Sequence, residues 1–220
     1  MEPTAEMGRL PRGRHGLSPE FVARNQRDRL ISGLTQALYE VGYQKTTVSL
    51  IGNRAAVSKS DFYKHFETKD DCFVAAYDAA TERIRRQLVA ACEEAEGEEW
   101  PQRVRAALEA LLELFADEPA LASIALVEGL RAGRGVYDRY QLAIESFVEL
   151  MKQSQPPLVE GIAVPEATDE AVVGGIASML GHRVFAGESE RLTELFPEIL
   201  EFVLAAYLGA EEARRIVSSG

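Results

Sequence analysis

Polar side chains between residues 58 and 64 have the types and the spacing to form hydrogen bonds with a nucleic acid. Ser60 and Lys64 are four residues apart, so on an α-helix they lie on one face, and Lys59 and Tyr63 flank that face. Hydroxyl and ammonium groups can bind both base edges and phosphate oxygens. We therefore interpret this segment as a short, weakly basic surface that suits the major groove of DNA.

Two short helices joined by a tight turn would hold that surface in place. Residues 47–55 begin with an N-cap hydroxyl and continue with apolar residues at helical spacing, after which the chain turns. Ser58 can cap a second helix, and Asp61, three residues later, can complete a capping box. Phe62 and Phe66 form an apolar stripe that must bury against the first helix. This pattern predicts a helix-turn-helix.

The predicted helix-turn-helix also has a characteristic order of residues. The order is Thr47, Ile51, Ala55, Val57-Ser58, Phe62-Tyr63, His65-Phe66 and Lys69. It resembles the signature of the tetracycline-repressor-like (TetR) family of bacterial transcriptional regulators, over roughly residues 20–75. Two positions depart from that family's pattern, because Gly52 stands where Ala is usual and Ala56 stands where the turn Gly is usual. If residue 56 is left-handed, a residue other than glycine costs on the order of 1 kcal/mol.

The exposed face and the resemblance together give a set of predicted DNA contacts. Phosphate contacts are predicted for Thr47, Lys64 and, as the resemblance implies, Lys69. Base-edge or groove contacts are predicted for Ser60, Tyr63 and Lys59. Ser58 and His65 are the remaining members of the set. His65 either contacts the DNA backbone or is only a histidine at the end of a helix.

The distribution of charge separates a basic part from an acidic part. The net charge of −11 by itself argues against a nucleic-acid partner. Residues 1–69, however, hold eleven Lys/Arg and seven Asp/Glu, a net charge of +4, whereas residues 70–220 hold thirteen and twenty-eight, a net charge of −15. Because the basic part coincides with the predicted DNA-reading segment, the whole-chain charge does not exclude DNA binding.

The N-terminal residues carry three arginines without apolar periodicity, namely Arg9, Arg12 and Arg14. They are interpreted either as a disordered terminus or as a basic arm that enters the minor groove when DNA is bound. Further along, Arg24, Arg27 and Arg29 are expected to be mostly solvated. The first residues lack an apolar signal segment and no apolar run is long enough to span a bilayer, so a cytoplasmic location without membrane contact is expected.

Enzymatic chemistry finds no support in the sequence. There is no phosphate-binding loop, no Cys/His spacing typical of a metal site, and no nucleophile with a partner His at a recognisable spacing. The two cysteines, Cys72 and Cys92, are expected to be small buried apolar residues. No enzyme activity, cofactor or metal is therefore predicted.

The predicted fold is all-α, with about nine helices. Hydrophobic residues make up 46% and charged residues 27% of the chain, which is typical of a soluble globular protein. The predicted organisation is a flexible basic arm at 1–18, a three-helix DNA-binding domain at 19–68, a helical ligand-binding and dimerisation domain at 69–209, and a polar C-terminal tail at 210–220.

Two predicted helices near the C-terminus, at 166–186 and 190–208, indicate close helix packing. The first contains several glycines, which suggests close approach to another backbone, and the second has more apolar surface than one neighbour needs. We predict a homodimer interface here, as the resemblance also implies, although a tight crossing within one chain stays open. The predicted interface residues are Gly174, Gly175, Ser178, Gly181, Leu195, Ile199 and Phe202.

A small-molecule effector site between the C-terminal helices is implied by the resemblance alone. Apolar side chains at helical spacing are usually core, so each predicted lining residue has packing as its alternative role. The expected effector is hydrophobic or aromatic, and His182 is either a polar anchor or a core histidine. The predicted lining is Trp100, Leu111, Phe115, Tyr140, Phe147, Met151, Met179 and His182.

These observations favour a transcriptional regulator over any other class of function. The expected form is a dimeric repressor that binds a palindromic operator on double-stranded DNA and is released by the effector. The alternative is a helical dimer that has lost DNA binding and serves as a scaffold for protein partners.

Overall fold

The structure, a computed structural model, is all-helical over the residues that it describes, which are 18–132, 134–157 and 159–219. The α-helices are α1 (Pro19–Lys45), α2 (Val48–Ala55), α3 (Lys59–His65), α4 (Lys69–Glu94), α5 (Trp100–Asp117), α6 (Pro119–Ser123), α7 (Gly129–Arg131), α8 (Arg134–Gln153), α9 (Thr168–Phe185), α10 (Phe196–Leu208) and α11 (Ala210–Ser219). A π-helical turn (Ile124–Glu128) joins α6 to α7, and a 3₁₀ segment (Ser189–Leu195) precedes α10. The all-α prediction is confirmed.

The chain divides into two compact units, and helix α4 contains residues of both. The first unit ends at Tyr77 and the second begins at Asp78. In the first unit α1 packs against α2 and α3, and its core contains Leu34, Ile51 and Phe62 with no exposed surface. This small core is what holds the helix-turn-helix together.

Helix α1 begins after a serine cap and is interrupted by a glycine near its end. The Ser18 hydroxyl accepts a hydrogen bond from the Phe21 N–H at 3.2 Å, as expected of an N-cap. Gly42 has φ 72° and ψ 167°, so it interrupts the helical conformation, and a last turn continues to Lys45. A glycine tolerates this backbone region because it has no Cβ.

In the second unit, two aromatic residues form hydrogen bonds that connect the ends of several helices. Trp100 at the start of α5 is buried, and its Nε1 donates to the Ser154 Oγ at 3.0 Å. The Trp100 ring packs edge-to-face on Tyr207 of α10 at 5.1 Å, and the Tyr207 hydroxyl donates to Asp169 near the start of α9. These contacts join the ends of α5, α9 and α10 to the residue that follows α8.

The C-terminal residues differ from the prediction. Residues 210–220 are predicted to be a frayed tail, but helix α11 spans Ala210–Ser219 and packs against α10. Ala213 is fully buried in this contact, and the Arg214 guanidinium lies 3.4 Å from the Glu201 carboxylate of α10. The prediction of a tail is therefore wrong: Ala213, Ile216 and Val217 have helical spacing, but they are few in a mostly polar segment.

Among the described residues, no helix combines the length and the apolar character needed to cross a bilayer.

Candidate nucleic-acid interface

Helix α3 begins at a cap that involves three polar side chains. The Ser58 hydroxyl accepts from the Asp61 N–H at 3.1 Å and donates to the Asp61 carboxylate at 2.7 Å. The Asp61 carboxylate also binds the Lys64 ammonium at 2.7 Å, and these contacts hold the pKa of Asp61 below its ordinary value. The predicted cap is present, and in it the Asp61 carboxylate accepts a hydrogen bond from the Ser58 hydroxyl. The start of α3 is thus fixed by local hydrogen bonds.

The two faces of α3 are as different as the sequence pattern predicts. Phe62 and Phe66 are buried, with their ring centroids 5.7 Å apart. On the opposite side Ser60, Tyr63 and Lys64 are exposed, and Tyr63 packs edge-to-face on the Phe62 ring at 5.4 Å. Lys59 and Ser58 are exposed beside them, so the predicted groove-facing side chains form one accessible surface.

The turn before α3 requires a left-handed residue, and that residue is Ala56. Its φ is 49° and its ψ is 45°. The Val57 N–H donates to the Gly52 carbonyl at 2.9 Å and the Ala56 N–H to the Asn53 carbonyl at 3.3 Å, which is the hydrogen-bond pattern of a Schellman helix end. The turn is therefore made without the usual glycine, at the cost of placing a Cβ in this region.

Gly52 and Gly33 permit backbone approaches that the sequence alone does not indicate. A Cβ at Gly52 would lie 2.7 Å from the Val57 carbonyl oxygen. A Cβ at Gly33 of α1 would lie 3.0 Å from both the Ile51 carbonyl oxygen and the Ala55 nitrogen of α2. Both glycines are needed for close packing around the turn.

The arginines of α1 that are expected to be solvated include two that contact the helix-turn-helix. Arg29 donates to the carbonyl oxygens of Ala55 and Ala56, the latter at 3.0 Å. Arg27 lies over the Phe66 ring, 5.2 Å from its centroid. No sequence motif indicates either contact, because the partners are 27 and 39 residues away in the chain.

Thr47 and Lys69 both lie near the link between α1 and α2. Thr47 is exposed and caps α2, its hydroxyl accepting from the Leu50 N–H at 3.2 Å. The Lys69 ammonium is partly buried and donates to the carbonyls of Tyr43 at 2.9 Å and Thr46 at 3.2 Å. It also lies 3.8 Å from the Tyr43 ring centroid. In this structure Lys69 therefore connects the start of α4 to the end of α1. These contacts lie within the protein, and the phosphate contact of Lys69 stays a prediction.

Tyr43 of α1 also contacts residues at the start of α4. Its hydroxyl donates to the Asp70 carboxylate, and burial together with this acidic partner raises the pKa of Tyr43 well above its ordinary value. The ring packs edge-to-face on Phe73 at 5.5 Å. The phenol thus stays protonated and holds α4 against α1.

His65 at the end of α3 lies against α1. Its Nε2 is 3.2 Å from the Gln26 Oε1, and partial burial is the main cause that lowers the pKa of His65. A neutral imidazole in this position can donate to the amide oxygen. The contact supports the helix-terminal interpretation of His65, while a contact with DNA stays a prediction.

The three arginines of the predicted arm, Arg9, Arg12 and Arg14, lie outside the described residues. Cys72 is buried against α1, and burial raises its pKa to about 12, so its thiol is protonated as expected of an apolar core residue. Over the residues that are described, no group of His, Cys, Asp and Glu has a geometry that could hold a metal ion.

The predicted effector-lining residues are not equally accessible. Trp100, Leu111 and Phe115 are buried in the second unit, and Tyr140, Phe147, Met151 and Met179 are half-buried. His182 is exposed on α9, so within this protomer it is neither a core histidine nor enclosed by a pocket. A shallow cavity of about 410 Å³ in this unit has a different lining, which is Ile162, Leu208, Gly209, Ala210, Glu211, Glu212 and Arg215.

The predicted dimer residues fall into two groups. Leu195 and Ile199 are buried within the protomer, so their assignment to a surface is wrong, because α10 packs against α5 and α9 along that face. Gly174, Gly175, Ser178, Gly181 and Phe202 all retain exposed surface. A Cβ at Gly175 would lie 2.7 Å from the Phe202 ring, so the close crossing within one chain exists at this glycine. A Cβ at Gly174 would contact nothing within 4 Å.

Comparison with known proteins identifies the helix-turn-helix unit. Residues 30–76 match the family model for bacterial regulatory proteins of the tetR family. Over this segment the chain is similar to the TetR family. The match spans most of α1, all of α2 and α3, and the start of α4, which is the part of the chain that holds the surface described above. The proteins that this family model describes are bacterial regulatory proteins.

Curated relatives and solved structures extend the similarity beyond that unit. Uncharacterised HTH-type transcriptional regulators of Mycobacterium tuberculosis and Mycobacterium bovis are 26% identical over 199 residues, covering 86% of this chain and 82% of each relative. The fatty acid degradation regulator FadR of Bacillus halodurans has the same fold, with a TM-score of 0.73, 14% identity, and coverage of 88% of this chain and 99% of that one. FadR of Bacillus subtilis, solved in complex with stearoyl-CoA, has a TM-score of 0.67 at 16% identity, covering 81% of this chain and 98% of that one.

Proposed function

We propose that the protein is a homodimeric repressor that inserts helix α3 of each protomer into the major groove of a palindromic operator. The observation that carries the proposal is the division of α3 into a buried face with Phe62 and Phe66 and an exposed face with Ser60, Tyr63 and Lys64. A short helix with small polar side chains on its free side has the shape and the donors to contact base edges. Two such helices related by a two-fold axis would contact half-sites one helical turn apart, or a multiple of it.

Each exposed residue has a distinct part in this proposal. Ser60, Tyr63 and Lys59 would contact bases or groove walls, and Thr47 and Lys64 would bind phosphates. Lys64 would exchange its contact with Asp61 for a phosphate oxygen. The proposed DNA-reading domain is 19–68, and the remaining helices form the domain for effector binding and dimerisation. A cytoplasmic location belongs to the same proposal.

The proposed dimer interface uses the exposed face of α9 and the adjoining part of α10. Small residues at Gly174 and Ser178 would let the partner backbone approach closely, and the partly exposed Phe202 ring would bury against it. Phe185 at the end of α9 is 64% exposed and extends the same apolar surface. Burial of large apolar side chains is the main driving force of such an association.

The proposed effector is a long-chain acyl compound, and its proposed site lies among the helices of the second unit. A similar fold was solved with stearoyl-CoA, in FadR of Bacillus subtilis, which supports this class of compound. The second unit also supplies apolar and aromatic side chains that are half-buried, including Tyr140, Phe147 and Met151. Release of DNA requires that the effector bind the DNA-incompetent state more tightly.

A gel-shift titration tests the DNA-binding proposal. The full chain is titrated onto the gene's own upstream region and onto an unrelated duplex of equal length, each at several salt concentrations. The expected result is a discrete complex with the upstream region, with a stoichiometry of an even number of protomers, and weak salt-sensitive binding to the control. Equal binding to both duplexes would refute an operator there, and no binding to either would favour a protein-interaction scaffold.

The effector proposal is tested on the complex so obtained. Stearoyl-CoA and free coenzyme A are added separately, so that coenzyme A controls for the head group. The expected result is that only the acyl compound releases the operator. Release by both compounds, or by neither, would refute an acyl effector and leave the DNA-binding proposal intact.

A further inference from the structure

Arg29 connects α1 to the turn that precedes α3. Its side chain is half-buried, and its Nη2 donates to the Ala56 carbonyl oxygen at 3.0 Å as well as to the Ala55 carbonyl oxygen. Both oxygens lie at the C-terminal end of α2, where carbonyls have no partner within the helix. Arg29 therefore supplies from another helix the donor that this helix end lacks.

Charge and geometry make arginine well suited to this position. The carbonyls at a helix C-terminus carry partial negative charge, which a guanidinium stabilises. Its planar group also holds several N–H donors in a fixed arrangement, whereas a lysine offers one ammonium on a flexible stem. Two adjacent carbonyls bound to one guanidinium restrict the rotation of the peptide units between them.

The restricted peptide units include the strained residue of the turn. Ala56 has φ 49°, a conformation that glycine adopts freely and alanine does not. Only Val57 separates Ala56 from the Ser58 cap of α3. A change of φ or ψ at Ala56 would therefore rotate α3 as a whole, and with it the exposed face that contains Ser60 and Tyr63.

We propose that Arg29 is a positioning residue for DNA recognition: it holds the left-handed turn at Ala56 and so fixes the direction of α3. This inference rests on the proposed function, in which α3 enters the major groove. Arg29 acts through the turn and not through the phosphates. Loss of its side chain should therefore impair the recognition of one sequence more than the attraction to DNA in general.

The test compares variants of the full chain on the operator and on an unrelated duplex. Arg29→Gln is expected to weaken operator binding about tenfold, since hydrogen bonds to a charged donor are lost at the turn. Binding to the unrelated duplex should change by less than about threefold, and the salt dependence of operator binding should stay the same. Arg24→Gln, which removes an exposed arginine of the same helix, controls for the lost charge.

Two further variants distinguish positioning from a general loss of structure. Ala56→Gly removes the backbone strain, so Arg29→Gln should cost less in that background than in the original chain. Arg29→Lys should lie between the original protein and Arg29→Gln. Without any DNA, amide exchange at Val57, whose N–H donates to the Gly52 carbonyl at 2.9 Å, should accelerate in Arg29→Gln.

Several outcomes would overturn the proposal. A uniform loss on both duplexes, with a salt slope lower by about one, would make Arg29 a phosphate ligand. Unchanged operator binding, or an equal loss in the Ala56→Gly background, would leave Arg29 without a role in positioning. If the original chain binds no operator, the proposed function fails, and unchanged exchange at Val57 would then separately refute the anchoring of the turn.

Discussion

Replacing Gly52 with alanine should destabilise the first unit, although alanine is the better helix former. The new Cβ would lie 2.7 Å from the Val57 carbonyl oxygen, a distance that real Cβ atoms essentially never show. Helix propensity favours alanine by about 1 kcal/mol. Crowding in a packed region costs about 1–3 kcal/mol. Because the opposing atom belongs to the backbone and not to a flexible side chain, we expect the upper part of that range and a net loss of about 1–2 kcal/mol.

The assay is denaturant unfolding of the full chain, followed by far-UV circular dichroism and by fluorescence. Trp100 is the only tryptophan in the sequence and lies in the second unit, so its emission reports that unit, while the dichroism reports both. Gly52→Ala should shift the dichroism transition to lower denaturant. The matched control is Asn53→Ala in the same helix, where the side chain is exposed and alanine should stabilise slightly.

The Gly52 prediction also concerns the position of α3. To accept a Cβ, the Val57 carbonyl must move away, which disturbs the hydrogen bond from the Val57 N–H to the Gly52 carbonyl. Operator affinity should therefore fall together with stability. If Gly52→Ala were as stable as Asn53→Ala, the close approach would not be tight and this account of the turn would be refuted.

Three further predictions concern charge, pH and association. Asp61→Asn should raise DNA affinity, because it removes a negative charge beside the groove-facing surface and frees Lys64 from its ion pair. Unchanged affinity in a salt titration would contradict this. The lowered pKa of His65 means that the folded state favours the neutral imidazole. The contribution of His65 to the free energy of unfolding should therefore be constant above the ordinary pKa of 6.5 and fall as the pH drops below it. An NMR titration of the ring should show the low pKa. Gly175→Ala should displace the flexible end of the Phe202 ring with little effect on the unfolding free energy, yet weaken self-association in sedimentation, whereas an unchanged dimer would exclude this ring from the interface.

Capping signals in the sequence were reliable because they act over a few residues. Thr47 and Ser58 each accept a hydrogen bond from the N–H three residues later. The apolar pair Phe62 and Phe66 is buried as predicted, since spacing on a helix determines which side chains share a face.

Surface assignments in the second unit were less successful. Leu195 and Ile199 lie in the same apolar run as Phe202, but only Phe202 is partly exposed. Apolar periodicity shows that a face is covered and does not show whether the covering element belongs to the same chain or to a partner. The helix at Ala210–Ser219 was missed for a similar reason, because its packing depends on α10 and not on its own composition.

By itself, the sequence determined the helix-turn-helix, its caps and the polar face of its second helix, since each of these depends on residues close together in the chain. Only the tertiary structure decided what holds that motif in place. Arg29 reaches the turn from 27 residues away, Lys69 reaches back 26 residues to the Tyr43 carbonyl, and Gly33 admits α2 against α1. Such contacts depend on how the helices cross, and the order of residues within one helix does not determine which distant carbonyl its side chains contact.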